Sequence, residues 1–150
     1  MAAASLLAQA IGLLARREYA RAELEQKLLA KGWDRAEVRA ALDELTARDY
    51  LSDARYAHTV AAQRSGRYSR RRIADELKAK GVARGDIEGA LAGTGIDDDA
   101  ALKALWQRRF GNPPADEREK ARQVRFLQTR GFALSAILRF LRTAAEGDDS

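Results

Sequence analysis

The sequence predicts an all-α protein, a tandem array of three three-helix repeats that is elongated and curved. Three observations predict it. Proline occurs only twice in 150 residues, and the abundant residues Ala, Arg and Leu are good helix formers. One segment recurs along the chain, aligning with itself at an offset of 49. Each copy carries apolar residues at the i, i+3, i+4, i+7 period of an amphipathic helix.

The recurrence is clearest between Tyr19–Leu42 and Tyr68–Leu91, which align without gaps and are identical at nine of 24 positions. A third copy is centred on Gly131, where Leu127, Arg130, Gly131, Phe132, Ile137 and Leu141 keep the spacing of Leu28, Lys31, Gly32, Trp33, Val38 and Leu42. The shared centre is a basic residue, then Gly, then a bulky apolar residue. The cation complements the negative end of a helix, the glycine takes the left-handed position that ends it, and the apolar residue folds back over the last turn.

In the first repeat, Leu7, Ala10, Ile11 and Leu14 predict the opening helix. Asp34 and Glu37 have the spacing of an N-cap and its return partner, ahead of the Val38, Ala41, Leu42, Leu45 stripe. In the second repeat the opening stripe is the weaker Tyr56, Val60, Ala61. In the third it is Leu102, Leu105, Trp106 and Phe110, with Gly111-Asn112-Pro113-Pro114 as a loop and Ala121, Val124 and Leu127 as the inward stripe of the next helix. The expected units are residues 5–50, 52–92 and 97–145, followed by a frayed tail at 146–150. A unit of this size buries little apolar surface alone, so stacked neighbours are expected to complete the core.

The net charge of +5 is unevenly placed. Residues 1–51 are neutral, with eight basic and eight acidic side chains, whereas residues 52–96 carry nine basic against five acidic. In the third unit, residues 100–145 hold ten basic side chains against three acidic. The densest run is Arg64-Ser65-Gly66-Arg67-Tyr68-Ser69-Arg70-Arg71-Arg72, at a predicted helix N-terminus. A helix dipole disfavours cations there, so the run points to an anionic partner held by the N-terminal amides and the guanidinium forks. Arg118, Arg122 and Arg125 share one helix face. Arg108 and Arg109 end the preceding helix, where complementing the dipole explains them.

The chemistry of an enzyme is missing from the sequence. There is no cysteine, which excludes disulfides, thiolate metal sites and cysteine nucleophiles. The one histidine, His58, lies in an alanine-rich stretch with no converging nucleophile or base. Gly93-Thr94-Gly95 lacks the lysine and spacing of a phosphate loop. Asp97-Asp98-Asp99 opens a helix, and adjacent helical residues diverge too far to share a metal. No metal, cofactor or catalytic residue is therefore expected. Trp33, Trp106, Phe126, Phe132 and Phe140 are read as core. Residues 1–10 lack the basic start and apolar core of a signal peptide. No apolar run approaches the roughly 18 residues of a membrane-spanning helix. A soluble, cytoplasmic monomer is expected.

Base reading by helix–turn–helix units fits poorly, because the helix after each turn carries Glu37, Asp43 and Glu44 in the first unit and Asp86 and Glu88 in the second. Only the third, with Arg139 and Arg142, suits DNA. An independent DNA-binding protein is the alternative reading on these grounds.

The ordered set of segments Tyr50–Ala57, Arg70–Gly81, Trp106–Phe110 and Lys120–Phe132, with the helix-ending Lys-Gly pairs, resembles the RecX family over residues 8–145. One departure is Ser69-Arg70, where the family often has Gly-Pro. The resemblance implies a cytoplasmic modulator of the RecA recombinase without catalytic residues or cofactor. Such a protein lies in the groove of the RecA–DNA filament, touches several protomers, and blocks growth or promotes disassembly. Strand exchange, ATP hydrolysis and co-protease activity are thereby suppressed. The expected contacts with RecA surface or with the backbone of single- or double-stranded DNA are Arg64, Arg67, Tyr68, Arg70, Arg71, Arg72, Lys78, Lys80, Arg118, Lys120, Arg122 and Arg125.

Overall fold

The computed structural model describes residues 2–147, with side chains from residue 5 onward. The described residues form nine helices and no strand. They are α1 (Ala2–Arg16), α2 (Arg21–Ala30), α3 (Arg35–Ala47), α4 (Asp53–Arg64), α5 (Arg70–Ala79), α6 (Arg84–Gly93), α7 (Asp98–Arg109), α8 (Glu117–Thr129) and α9 (Leu134–Gly147). Residues 148–150, part of the expected tail, lie outside the described residues, and α9 runs on through Gly147.

Local chemistry sets the boundaries. Side-chain oxygens of Asp34, Ser52, Ser69, Asp97 and Asp116 each accept a backbone N–H from the first turn they precede. At Asp34 only the forward half of the expected box forms, with Glu37 N–H donating at 3.2 Å. A return bond closes instead in α2, where Glu23 Oε1 accepts the Ala20 N–H at 3.4 Å. The middle helix of each repeat ends as its sequence predicts. Gly131 sits at φ +99°, its N–H donates to Gln128 O at 2.9 Å, and Phe132 N–H reaches back to Leu127 O at 3.2 Å. Gly32 and Gly81 close α2 and α5 in the same way.

Each repeat has its own core. Leu6, Leu24, Leu28, Leu42 and Leu45 anchor the first. Ile73, Leu77 and the alanines Ala57, Ala61 and Ala90 form the second, where small side chains let α4 and α6 lie close. Leu102, Leu105, Trp106, Leu127, Phe132, Ile137 and Leu141 form the third. The shared core expected from stacking is not what holds the array. Only Ala20 of the first repeat enters a neighbour's cluster, and the strongest helix pairings all lie within a repeat. The joints between repeats are polar instead. This leaves 9266 Å² of accessible surface, against about 7,600 Å² for a compact monomer of 16.6 kDa. The array is therefore extended.

The inward stripe of α8 also differs from expectation. Ala121 is exposed and Val124 half-buried, while Gln123 is fully buried with Leu127. Gln123 Oε1 accepts the Trp106 indole N–H at 2.9 Å, and its amide donates to Asn112 O at 3.2 Å. A buried amide is tolerated there because both ends are satisfied, and it ties the loop after α7 to the core.

Candidate functional site: a basic trough across repeats two and three

The middle helices follow one another head to tail. The end of α8 abuts the start of α5, and the end of α5 abuts the start of α2. At the first of these joints Ser69 N–H donates to Arg130 O at 3.0 Å, and the Arg72 guanidinium donates to Thr129 O. The carbonyl end of α8 thus faces the arginine-rich start of α5. This explains cations at a position the α5 dipole alone disfavours. Asp98 Oδ1 accepts the Arg70 N–H at 2.7 Å, and Ser69 Oγ accepts that of Arg72 at 3.0 Å. The expectation that a partner's phosphate occupies these amides is therefore corrected: those of Ser69, Arg70 and Arg72 are already bonded within the chain.

Beside this joint, α7 and α8 border three clefts that share lining residues. Arg67, Leu105, Arg108, Arg109, Phe126 and Arg130 line the first. Arg109 and Phe126 also line the second, with Phe110, Arg122, Arg125 and Thr129. Arg122 and Arg125 continue into a third beside Arg118, Asp116 and Glu119. The result is a trough with seven arginines along it and two carboxylates at its far end. Among the described residues, none of the seven forms an ion pair with a carboxylate.

Aromatic rings and backbone carbonyls hold four of these guanidinium groups, those of Arg108, Arg109, Arg122 and Arg130. Arg109 and Arg130 lie over the Phe126 ring at 5.2 and 5.0 Å, and Arg122 over Phe110 at 5.9 Å. Phe110 and Phe126 meet edge to face at 5.5 Å. Arg108 donates to Gly66 O at 3.0 Å and Arg130 to Arg67 O at 3.5 Å, which bridges the two repeats. A ring orients a cation without neutralising it, so the charge stays available to an outside anion.

The expected contact residues fall into three groups. Arg67, Arg118, Arg122 and Arg125 line the trough. Arg64, Tyr68 and Arg72 form a cluster of their own, with Arg64, Arg72 and Arg130 at 6.0, 5.1 and 4.9 Å from the Tyr68 ring. There Arg64 pairs with Glu76 at 3.2 Å, and Arg72 serves the joint. Lys80 likewise bridges to Glu23 of the first repeat, at 3.3 Å. Arg70, Arg71 and Lys78 are exposed on α5, and Lys120 is half-buried on α8, all four outside the trough lining. Sequence reasoning missed Arg108, Arg109, Arg130, Phe110 and Phe126. The first three were read as helix-end cations, and the fold brings them to one cleft. Phe126, read as core, is half-buried and lines the trough.

Comparisons with known proteins agree over nearly the whole chain. Family models described as the first, second and third three-helix domains of RecX match residues 7–45, 52–91 and 97–141. The chain is 43% identical to the "Regulatory protein RecX" of Leptothrix cholodnii, over 97% of this chain and 92% of that protein. It is 45% identical to the protein of the same name from Ectopseudomonas mendocina, over 91% and 93% respectively. In fold it is similar to the crystal structure of a regulatory protein RecX, with TM-score 0.75 and 18% identity over 94% of this chain and 73% of the other. It is similar too to that of RecX from Lactobacillus salivarius, with TM-score 0.69 and 18% identity over 94% and 97%. The chain belongs to the RecX family of regulatory proteins.

Proposed function

We propose that the protein regulates the RecA recombinase by binding along the groove of the RecA–DNA filament and inhibiting or destabilising it. It acts without catalysis, in the cytoplasm, as a monomer whose repeats contact successive filament subunits. The observation that carries this reading is the trough, whose seven arginines, Arg67 of repeat two and six of repeat three, pair with no carboxylate among the described residues of an extended array. An anionic surface longer than one repeat suits such a site, because each repeat adds contacts without a new association event. Suppression of recombination, of RecA ATPase and of co-protease activity then follows from loss of assembled filament.

The test is to add purified protein to cognate RecA on single-stranded DNA and follow ATP hydrolysis and strand exchange. Inhibition of both at stoichiometries below one per RecA subunit is expected, and unchanged rates would refute the reading. Sequence-dependent retention of duplex DNA without RecA would favour an independent DNA-binding protein, using the exposed Arg139 and Arg142 of α9.

A further inference from the structure

The two joints of the array are built on one plan but bonded differently. Aligned on the helix-ending glycines, Lys80 of the first joint corresponds to Arg130 of the second, Ala20 to Ser69, and Glu23 to Arg72. At the joint between repeats two and three, the bonds end largely on neutral backbone carbonyls. Ser69 N–H donates to Arg130 O, Arg72 to Thr129 O and Arg108 to Gly66 O. The fit is also tight, since a Cβ on Gly131 would overlap Ser69 Oγ and come within 2.6 Å of Arg72 Cβ.

At the joint between repeats one and two, the side-chain bonds run largely to carboxylates. Glu23 occupies the Arg72 position and pairs with Lys80 at 3.3 Å and with Arg17 at 3.2 Å. Arg55 Nε donates to Glu18 Oε1 at 2.7 Å, while its Nη2 donates to the Asp49 and Tyr50 carbonyls, each at 3.1 Å. The bond from Arg21 N–H to Asp53 Oδ1 at 2.7 Å is common to both joints, since Arg70 N–H donates to Asp98 Oδ1 at 2.7 Å at the other. Ala20 N–H turns to Glu23 of its own helix instead of to the neighbour's carbonyl. No backbone-to-backbone hydrogen bond crosses this joint among the described residues. Its packing is lighter as well, because Gly81 faces only Ala22 Cβ, at 3.0 Å from where its own Cβ would stand. Among the described residues, Ala20 is the one residue of repeat one in the buried core of repeat two.

Solvent-exposed ion pairs weaken as salt screens them, whereas hydrogen bonds to neutral carbonyls depend on salt far less. The cations of the first joint are also accessible: the side chains of Arg17, Lys80 and Arg55 are 49%, 45% and 39% exposed. We infer that repeats two and three form one rigid body and that repeat one is an arm pivoting on Ala20, its angle set by the ion pairs of Glu18 and Glu23 and released by ionic strength or by a competing polyanion. The rigid body carries the trough ready-formed, and the arm adjusts to whatever lies beside it. The pivot is a property of the free protein and is independent of which partner the trough binds.

The chain has no native cysteine, so paired spin labels can be placed without background. One pair, Ala36→Cys with Ala92→Cys, spans the first joint, and a second, Ala92→Cys with Ala121→Cys, spans the second; all three positions are exposed. Distance distributions are measured by pulsed electron resonance on the full chain between about 0.05 M and about 0.5 M salt. The first is expected to broaden with salt while the second stays narrow. Glu18→Gln with Glu23→Gln should broaden the first at low salt, with helicity by circular dichroism unchanged. Equal broadening of both, broadening of the second alone, or no change in either would overturn the inference. The salt series on the otherwise native chain remains decisive even if the double variant fails to fold.

Discussion

Gly131 shows how much one position can carry. It ends α8 at φ +99° and is the point where α8 seats on Ser69 and Arg72 of the preceding repeat. Ala there is strained by its backbone and blocked by its neighbour, so Gly131→Ala should cost more than about 1 kcal/mol, read as a lowered midpoint of chemical denaturation. Gly32 has the same left-handed conformation with open space around it, and Gly32→Ala should be the milder change. The arginines divide in a similar way. Arg70→Ala with Arg71→Ala should weaken partner binding and leave melting unchanged, since neither side chain bonds to another among the described residues. Arg72→Ala should lower the melting temperature too, because Arg72 holds the Thr129 carbonyl and stacks on Tyr68. Melting curves that do not separate Arg72 from its two neighbours would contradict these assignments. The glycines were legible in the sequence because a basic residue, Gly and an apolar residue in succession describe a helix end. Gln123 was not: a glutamine among Arg122, Arg125 and Lys120 reads as solvated, and only its bond to Trp106 explains its burial.

Among the elements, helix order and the amphipathic stripes other than that of α8 followed from periodicity, but the joints did not. Periodicity reports which face of a helix is buried, not what meets its ends. The ends of α2, α5 and α8 are where repeats touch, and their chemistry rests on pairs 57 residues apart, such as Lys80 with Glu23. Burial pushes the Glu23 carboxyl up, yet hydrogen bonds from Arg17 and Lys80 outweigh it and hold the group below its ordinary value. A carboxylate lowered in the folded state adds stability above its unfolded pKa, near 4.3 for Glu. That stability is lost as pH falls through the lower folded value. The contribution is at most about 1 kcal/mol for ion pairs with such exposed cations. Thermal melts should therefore show native protein above Glu23→Gln at neutral pH, with the two converging in acid. A gap that persists below the carboxylate range would show that the pairs are not its source.

For the whole molecule, the charge division read from sequence acquires a shape. Repeat one is neutral and joined through carboxylates, while repeats two and three carry the surplus of cations, part of it concentrated in the trough. The sequence located the basic run at 64–72, but Arg64 pairs with Glu76 inside repeat two and Arg72 is taken up by the joint. The trough joins Arg67 and the Arg118, Arg122, Arg125 face to the helix-end arginines Arg108, Arg109 and Arg130, which no linear motif connects to them. The extended surface follows from three separate cores, and no helix among the described residues is long and apolar enough to cross a membrane. If the trough grips a filament-sized anionic partner, its arginines set both the affinity and its salt dependence. Binding of native protein and of a variant carrying Arg109→Gln, Arg122→Gln and Arg125→Gln is compared on RecA-coated and bare single-stranded DNA across a salt series. Native protein should bind coated DNA more tightly, and the variant should lose affinity for it with a shallower dependence on salt, by about 1 in log–log slope for each phosphate contact removed. Equal affinity of the two proteins for coated DNA, with the same salt slope, would contradict the claim.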